Sequence, residues 1–100
     1  MNSTIKSKYK VFENSSPYNK KGRYEEPKEI LKEIVSKINV CVDNEKNYSV
    51  LDVGCANGEF LYFLKQNFPN WNLNGYDMTE SFIKSGKSFS GLNDVNLQTK

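Results

Sequence analysis

Histidine is absent from this 100-residue sequence, and cysteine and arginine are scarce. The two cysteines, Cys41 and Cys55, form no CxxC pair, and without histidine they supply too few ligands for a zinc site, so we expect no bound metal. The single arginine, Arg23, argues against a nucleic-acid partner, because arginine dominates specific contacts to base edges. The composition therefore favours neither a metal centre nor a nucleic-acid surface.

Long apolar runs are also missing. The first residues, MNSTIKSKYK, lack the hydrophobic stretch of a signal peptide, and no run approaches the length that is needed to cross a bilayer. We therefore predict a cytoplasmic protein with no membrane partner, in which both cysteines are reduced.

The charges that are present are distributed unevenly. Residues 1–28 hold seven Lys or Arg and three Glu, whereas the remainder holds seven Lys and nine Asp or Glu. Residues 1–24 show no sustained hydrophobic period, which predicts an N-terminal arm. Its tyrosines, Tyr9, Tyr18 and Tyr24, would dock on the domain or line a pocket, and docking is the simpler interpretation. Residues 25–100 carry the pattern of a folded domain.

In residues 25–100, helical and strand patterns alternate. The predicted order is a helix over 25–38, a strand over 48–53, a helix over 58–68, a strand over 71–77, a helix over 78–89 with Thr79 as N-cap, and a strand over 94–100. The first strand, YSVLDV, is apolar at consecutive positions, which predicts burial on both faces of a parallel sheet. Two βαβ units in succession predict an α/β fold, a Rossmann-like parallel sheet with crossover helices.

This pattern is that of the first half of a Rossmann-like domain. In such a sheet the first strand normally lies beside the point where the strand order reverses, and its neighbour on the far side is not among these residues. Residues 48–53 would then form an exposed apolar edge. We therefore expect that the chain is the N-terminal part of a longer protein, or that it associates with itself or a partner through this edge.

A glycine loop follows the first strand in the stretch VLDVGCANGEF, residues 50–60. Gly54 can take a positive φ, and Gly58 lets a ligand or a neighbouring strand come close. The loop is one residue short of the dinucleotide motif Gly-x-Gly-x-x-Gly, and no Gly-Lys-Ser/Thr follows as in a P-loop. Asp52, at the end of the strand, would repel a pyrophosphate but attract an amine, so we expect a ligand that carries positive charge.

The stretch LDVGCANG, followed by LNGYDMTESFI, resembles the first two motifs of class I S-adenosylmethionine-dependent methyltransferases. The resemblance covers about residues 50–89 and implies S-adenosylmethionine as cofactor and methyl transfer to an unidentified acceptor. It implies that Asp52 contacts the methionine end of the cofactor, directly or through water, and that Asp77 accepts hydrogen bonds from both ribose hydroxyls. Met78 would pack on the adenine.

The resemblance also implies roles for the residues of the glycine loop. Gly54 and Gly58 would pass their backbone beside the cofactor, and the residues between them would contribute mainly backbone contacts; these are Cys55, Ala56 and Asn57. Ala56 stands where the family usually has its middle glycine. A methyl group there needs a negative φ or a small shift of the loop, which we expect to reduce affinity without changing the fold.

Three classes of function remain open from the sequence. Besides the methyltransferase, the chain fits a non-catalytic cofactor-binding or scaffolding module and, less well, part of an NAD-dependent oxidoreductase. Each site residue also has a purely structural alternative: Asp52 as a helix cap or a partner of loop amides, Asp77 as a turn carboxylate before Thr79, and Met78 as a core residue. No catalytic residue is nominated, and the small charge slightly favours a small-molecule acceptor.

Overall fold

The computed structural model describes Tyr24 and residues 28–100. Three helices alternate with three strands in this part of the chain, in the predicted order. The elements are α1 (Glu29–Cys41), β1 (Ser49–Val53), α2 (Glu59–Asn67), β2 (Asn72–Asp77), α3 (Glu80–Ser88) and β3 (Asn96–Thr99), with a 3-10 turn at Ser90–Leu92 before β3.

The three strands form one parallel sheet in the order β1-β2-β3. Asp52 pairs in register with Gly75, and Asp77 pairs with Thr99. Two successive β-α-β units confirm the predicted Rossmann-like α/β fold. Among the described residues β1 lies at the edge of the sheet, as expected for a first strand whose outer neighbour is not in this stretch.

A single hydrophobic core lies between the sheet and the helices. Its members include Val35 from α1, Leu61 and Leu64 from α2, Ile83 from α3, and Leu73 and Leu97 from the strands. The aromatic residues of α2, and Phe68 just after it, pack against this cluster. The aromatic stripe of the second predicted helix is therefore part of the core.

Helix α1 contributes less to the core than its sequence predicts. Val35 is buried and Ile38 partly so, whereas Ile30 and Ile34 of the same apolar stripe are exposed. The helix ends at Cys41, three residues later than predicted, and the predicted start at residues 25–27 lies outside the described residues. None of the helices described is long and apolar enough to cross a membrane.

The burial of β1 differs from the prediction. Val50 packs against the core and Asp52 is half-buried, but Leu51 and Val53 are 55% and 64% exposed. The expectation that both faces of this strand are buried is wrong for the described chain, because the helices share a single core on one side of the sheet. The other side, here called the open face, consists of Leu51, Val53, Asn74, Tyr76, Asn96 and Gln98.

Candidate functional site

The loop between β1 and α2 contains three residues with positive φ. The angles are 76° at Gly54, 52° at Ala56 and 85° at Gly58. A Cβ placed on Gly54 would meet no atom within 4 Å, so a ligand can approach its backbone directly. A Cβ on Gly58 would lie 2.9 Å from Cδ1 of Leu92. Gly54 therefore opens the loop outward, whereas Gly58 allows the close packing of the protein beneath the loop.

Ala56 takes a conformation that the sequence did not predict. Its φ of 52° lies in the left-handed region, where an alanine is typically less stable by about 1–2 kcal/mol than in the right-handed one. Of the two alternatives expected for Ala56, a negative φ or a small shift of the loop, the structure excludes the negative φ. The physical reason is tertiary: the Ala56 N–H donates to Oδ2 of Asp77 at 2.9 Å, and the N–H groups of Gly54 and Cys55 donate to the Tyr76 carbonyl oxygen.

Asp77 lies at the end of β2, and its carboxylate connects two loops. Oδ2 accepts the Ala56 N–H and Oδ1 accepts the Thr79 N–H, each at 2.9 Å. Thr79 occupies the N-cap position of α3, as predicted. Asp77 thus has the structural role of a turn carboxylate before Thr79. Each of its carboxylate oxygens can nevertheless accept a further hydrogen bond. The same side chain can hold the glycine loop and bind hydroxyl groups of a ligand.

Asp52 is half-buried at the end of β1, in a cleft of about 240 Å³ between the glycine loop and the helices. Burial and then the nearby Asp77 carboxylate raise the pKa of Asp52. Gly58, not Asp52, is the N-cap of α2, and the N–H groups of residues 54–56 donate to other acceptors. Because a positive charge would relieve this repulsion, the cleft suits a cationic ligand group.

Cys55 and Asn57 are buried inside the protein. Burial, with the charges of Asp52 and Asp77 adding to it, raises the pKa of the Cys55 thiol to about 12, so this thiol stays protonated and unreactive. The Asn57 residue is 0% exposed. Asn57 therefore presents no surface to a ligand, whereas Cys55 lines the Asp52 cleft, and the backbone contacts that were expected of both residues stay a prediction. In the described chain, no group of three or more His, Cys, Asp or Glu side chains could hold a metal ion.

Met78 lies on the other side of Gly54 from the Asp52 cleft. Met78 is 59% exposed, so it is not part of the core that the described residues form. A second cleft, of about 320 Å³, is lined by Val53, Gly54, Tyr76, Asp77, Met78 and Lys100. Gly54 borders both clefts, so a single extended ligand could occupy them together.

Sequence reasoning did not single out Glu59, and it did not connect Tyr24 with the glycine loop. Glu59, in the first turn of α2, is only 5% exposed and lines the Asp52 cleft, and its position directly after Gly58 was the available signal. Tyr24 is buried, and its hydroxyl donates to the Asn57 carbonyl oxygen at 2.7 Å. The docking prediction is confirmed for Tyr24, whereas Tyr9 and Tyr18 lie outside the described residues. The division into an arm and a domain at residue 24 stays a prediction.

A family of methyltransferase domains matches residues 44–98, which is more than half of the chain. A tRNA (guanine-N(7)-)-methyltransferase of Nostoc sp. is 40% identical over 60 residues, covering 53% of this chain and 27% of that protein. Another, from Prochlorococcus marinus, is 39% identical over 46 residues and covers 46% of this chain and 22% of that protein. The chain thus spans about a quarter of the length of these curated relatives.

Solved methyltransferase structures share the fold. The plantazolicin methyltransferase BpumL, in complex with a monoazolic desmethylPZN analog and SAH, matches with a TM-score of 0.64 at 21% identity, over 97% of this chain and 35% of that chain. An S-adenosylmethionine-dependent methyltransferase from Anabaena variabilis matches with a TM-score of 0.57 at 18% identity, over 92% of this chain and 35% of that chain. At these identities the likeness supports the fold alone. Because the family match covers residues 44–98, this chain belongs to the methyltransferase domain family.

Proposed function

We propose that this protein transfers a methyl group from S-adenosylmethionine to an acceptor, and that residues 28–100 contribute much of the cofactor site. The observation that carries the proposal is the pair of carboxylates at the ends of neighbouring parallel strands. Asp52 lies in one cleft and Asp77 in the next, and the uncovered backbone of Gly54 lies between them. Ligands of open parallel sheets bind at this edge, outside the carboxyl ends of the strands.

The chemistry of these groups fits the cofactor. Asp52 would bind the ammonium group of the methionine end, which relieves its repulsion with Asp77. Asp77 would accept the ribose hydroxyls with the acceptor capacity that its two backbone bonds leave free, and the exposed Met78 would lie against the adenine. S-adenosylmethionine supplies a methyl group that is already activated as a sulfonium. The task of the protein is then to bind, orient and exclude water.

A dinucleotide fits this loop less well. Binding of a pyrophosphate relies on backbone N–H groups that point at the phosphates. In this loop the N–H groups of Gly54 and Cys55 donate to the Tyr76 carbonyl oxygen, and that of Ala56 donates to Asp77. The two nearby carboxylates add repulsion. The oxidoreductase alternative is therefore disfavoured on electrostatic grounds.

The acceptor that we propose is a small molecule, in a protein that we place in the cytoplasm. The support is the small net charge of +2 and the presence of one arginine in the sequence. The curated relatives are named as tRNA methyltransferases, but the similarity extends over only about a quarter of their length. A tRNA acceptor is therefore the competing outcome that an experiment must distinguish.

The test is a titration of the ¹⁵N-labelled protein with S-adenosylhomocysteine and, separately, with NAD. We expect the amide resonances of residues 52–58 and 77–79 to shift with the first ligand only. Shifts with NAD alone, or with neither ligand, would refute the cofactor assignment. Incubation with methyl-labelled S-adenosylmethionine and either tRNA or a small-metabolite extract then identifies the acceptor class. Binding without transfer to either would favour the non-catalytic module.

A further inference from the structure

Tyr24 contacts the glycine loop from inside the protein. Its ring stacks on that of Phe89, with centroids 3.9 Å apart, and meets the edge of the Tyr62 ring at 5.9 Å. Its hydroxyl donates to the carbonyl oxygen of Asn57 at 2.7 Å, across 33 positions of sequence. A residue that precedes α1 is therefore built into the support of the loop.

The carbonyl group of Asn57 lies in a crowded, buried position. Gly86 of α3 passes so close to it that a Cβ on this glycine would lie 2.6 Å from the Asn57 oxygen. Asn57 as a whole has no exposed surface, so solvent does not reach the group. Buried backbone carbonyls need a donor, and the Tyr24 hydroxyl supplies one with good geometry.

The loop is thus held from two sides at adjacent residues. On the outer side Asp77 accepts the Ala56 N–H, and on the inner side Tyr24 donates to the Asn57 carbonyl. Between them Ala56 keeps a left-handed conformation that an alanine rarely adopts. Such a conformation persists only where surrounding contacts fix it. The inner contact is therefore part of what maintains the shape of the loop.

We propose that Tyr24 is a positioning residue of the cofactor site, which acts through the Asn57 carbonyl to keep Gly54 exposed between the two clefts. This inference rests on the proposed function, because it assigns Tyr24 a share in cofactor affinity. Burial raises the pKa of Tyr24 to about 12; a hydrogen bond with the Ser85 side chain acts against this rise, and the Glu59 charge adds to it. The hydroxyl therefore stays protonated, and able to donate, over the whole range in which the protein would be assayed.

The test compares two tyrosine-to-phenylalanine variants of the full chain. Tyr24→Phe removes the donor to Asn57 but keeps the ring that stacks on Phe89. Tyr62→Phe is the matched control, because Tyr62 belongs to the same aromatic cluster but its hydroxyl accepts a hydrogen bond from exposed Gln66. For Tyr24→Phe we expect about fivefold weaker binding of S-adenosylhomocysteine by calorimetry, the typical net effect of one hydrogen bond.

Chemical shifts separate positioning from a merely structural role. We expect Tyr24→Phe to shift the amide resonances of Asn57 and Gly58 and to weaken binding, whereas Tyr62→Phe changes neither. A lower melting temperature of Tyr24→Phe with unchanged affinity and unchanged loop amides would refute the positioning role. Equal weakening by both variants would refute it too, because the loss would then come from the aromatic cluster.

Two further outcomes have defined meanings. If the wild-type protein does not bind S-adenosylhomocysteine, the proposed function fails and this inference fails with it. If the wild-type protein binds it and Tyr24→Phe binds it with the same affinity, only this inference is overturned. If Tyr24→Phe does not fold, the hydroxyl proton of wild-type Tyr24 decides. Slow exchange with solvent that slows further on ligand binding supports the role, and exchange that the ligand leaves unchanged refutes it.

Discussion

At the scale of single residues, Asp52 and Asp77 have opposite effects on the free protein. Asp77 accepts two backbone N–H groups and so stabilises the loops on either side of it. Asp52 is partly desolvated beside a second negative charge, so its ionised form is disfavoured in the folded state. A carboxyl group in a cleft whose pKa is shifted by burial and by a neighbouring charge is typical of a binding site.

The pH dependence of stability follows from the raised pKa of Asp52. The folded protein holds the Asp52 proton more tightly than the unfolded chain, whose carboxyl titrates near 3.8. The free energy of unfolding therefore falls as pH rises from that value through the raised pKa, and the effect is constant above it. We expect Asp52→Asn, which cannot ionise, to be more stable than wild type at neutral pH, and this difference to shrink on acidification. Urea unfolding between pH 4 and 8 measures both.

The same Asp52→Asn substitution is expected to weaken S-adenosylhomocysteine binding about 10- to 100-fold, because a charge-assisted hydrogen bond to the ammonium group is lost. Asp43→Asn is the matched control, since Asp43 is an exposed loop carboxylate that accepts the Glu45 N–H. This control should leave the affinity unchanged. Wild-type affinity in Asp52→Asn would contradict the role that we assign to Asp52.

Asp77→Asn should lower both stability and affinity. An asparagine has one acceptor oxygen, so the N–H of either Ala56 or Thr79 would face an amide NH₂ group and lose its acceptor. We expect a loss of about 1–3 kcal/mol in the free energy of unfolding and about 10- to 100-fold weaker binding of S-adenosylhomocysteine. Calorimetry and urea unfolding measure the two effects. A variant that stays as stable as wild type would show that these backbone contacts contribute little.

At the scale of elements, α3 packs against the glycine loop at Gly86, although glycine is an unfavourable residue inside a helix. Replacing a glycine inside a helix by alanine ordinarily stabilises the protein by about 1 kcal/mol. At Gly86 the added Cβ would lie 2.6 Å from the Asn57 oxygen and 2.8 Å from Cδ1 of Leu97. The helix can therefore approach the loop and β3 only because this position lacks a side chain.

We expect Gly86→Ala to lower the free energy of unfolding by about 1–3 kcal/mol, the usual range for overpacking, despite its better helix propensity. It should also weaken cofactor binding, because the Asn57 carbonyl must move. Lys87→Ala, at an exposed position of the same helix, should change stability by less than about 0.5 kcal/mol. Urea unfolding gives the comparison, and a stabilised Gly86→Ala would mean that α3 can shift away at little cost.

The elements were predictable to the extent that they depend on local pattern. Apolar residues at helical or alternating spacing predicted the order of helices and strands. Asp52 was identified because it ends a strand, and Asp77 was identified through the resemblance of LNGYDMTESFI to a methyltransferase motif. Exposure of Leu51 was not predictable, because an apolar pattern does not reveal whether another segment covers it. Tyr24 was not assigned to the loop because its contact spans 33 residues, and the φ of Ala56 was missed because tertiary hydrogen bonds set it.

At the scale of the whole molecule, the open face is the surface of the described chain that most favours association. Leu51 and Val53 are exposed beside the polar side chains of β2 and β3, and Leu51 borders with those side chains a shallow depression of about 440 Å³. The unpaired edge of β1 adjoins this face among the described residues. Apolar surface and an unpaired edge together favour association.

We therefore expect a polypeptide of these 100 residues to self-associate, and Leu51→Lys to weaken that association at least about tenfold, because burial of a leucine contributes about 1.5–3 kcal/mol. Sedimentation equilibrium over a range of concentrations measures the constant. Val40→Lys places the same charge at a more exposed apolar residue on α1 and should leave association unchanged. Equal weakening of association by both variants would mean that association depends on α1 or on general hydrophobicity, and not specifically on the open face. A wild-type polypeptide that stays monomeric at its solubility limit would show that the polar side chains suffice to keep the open face in water.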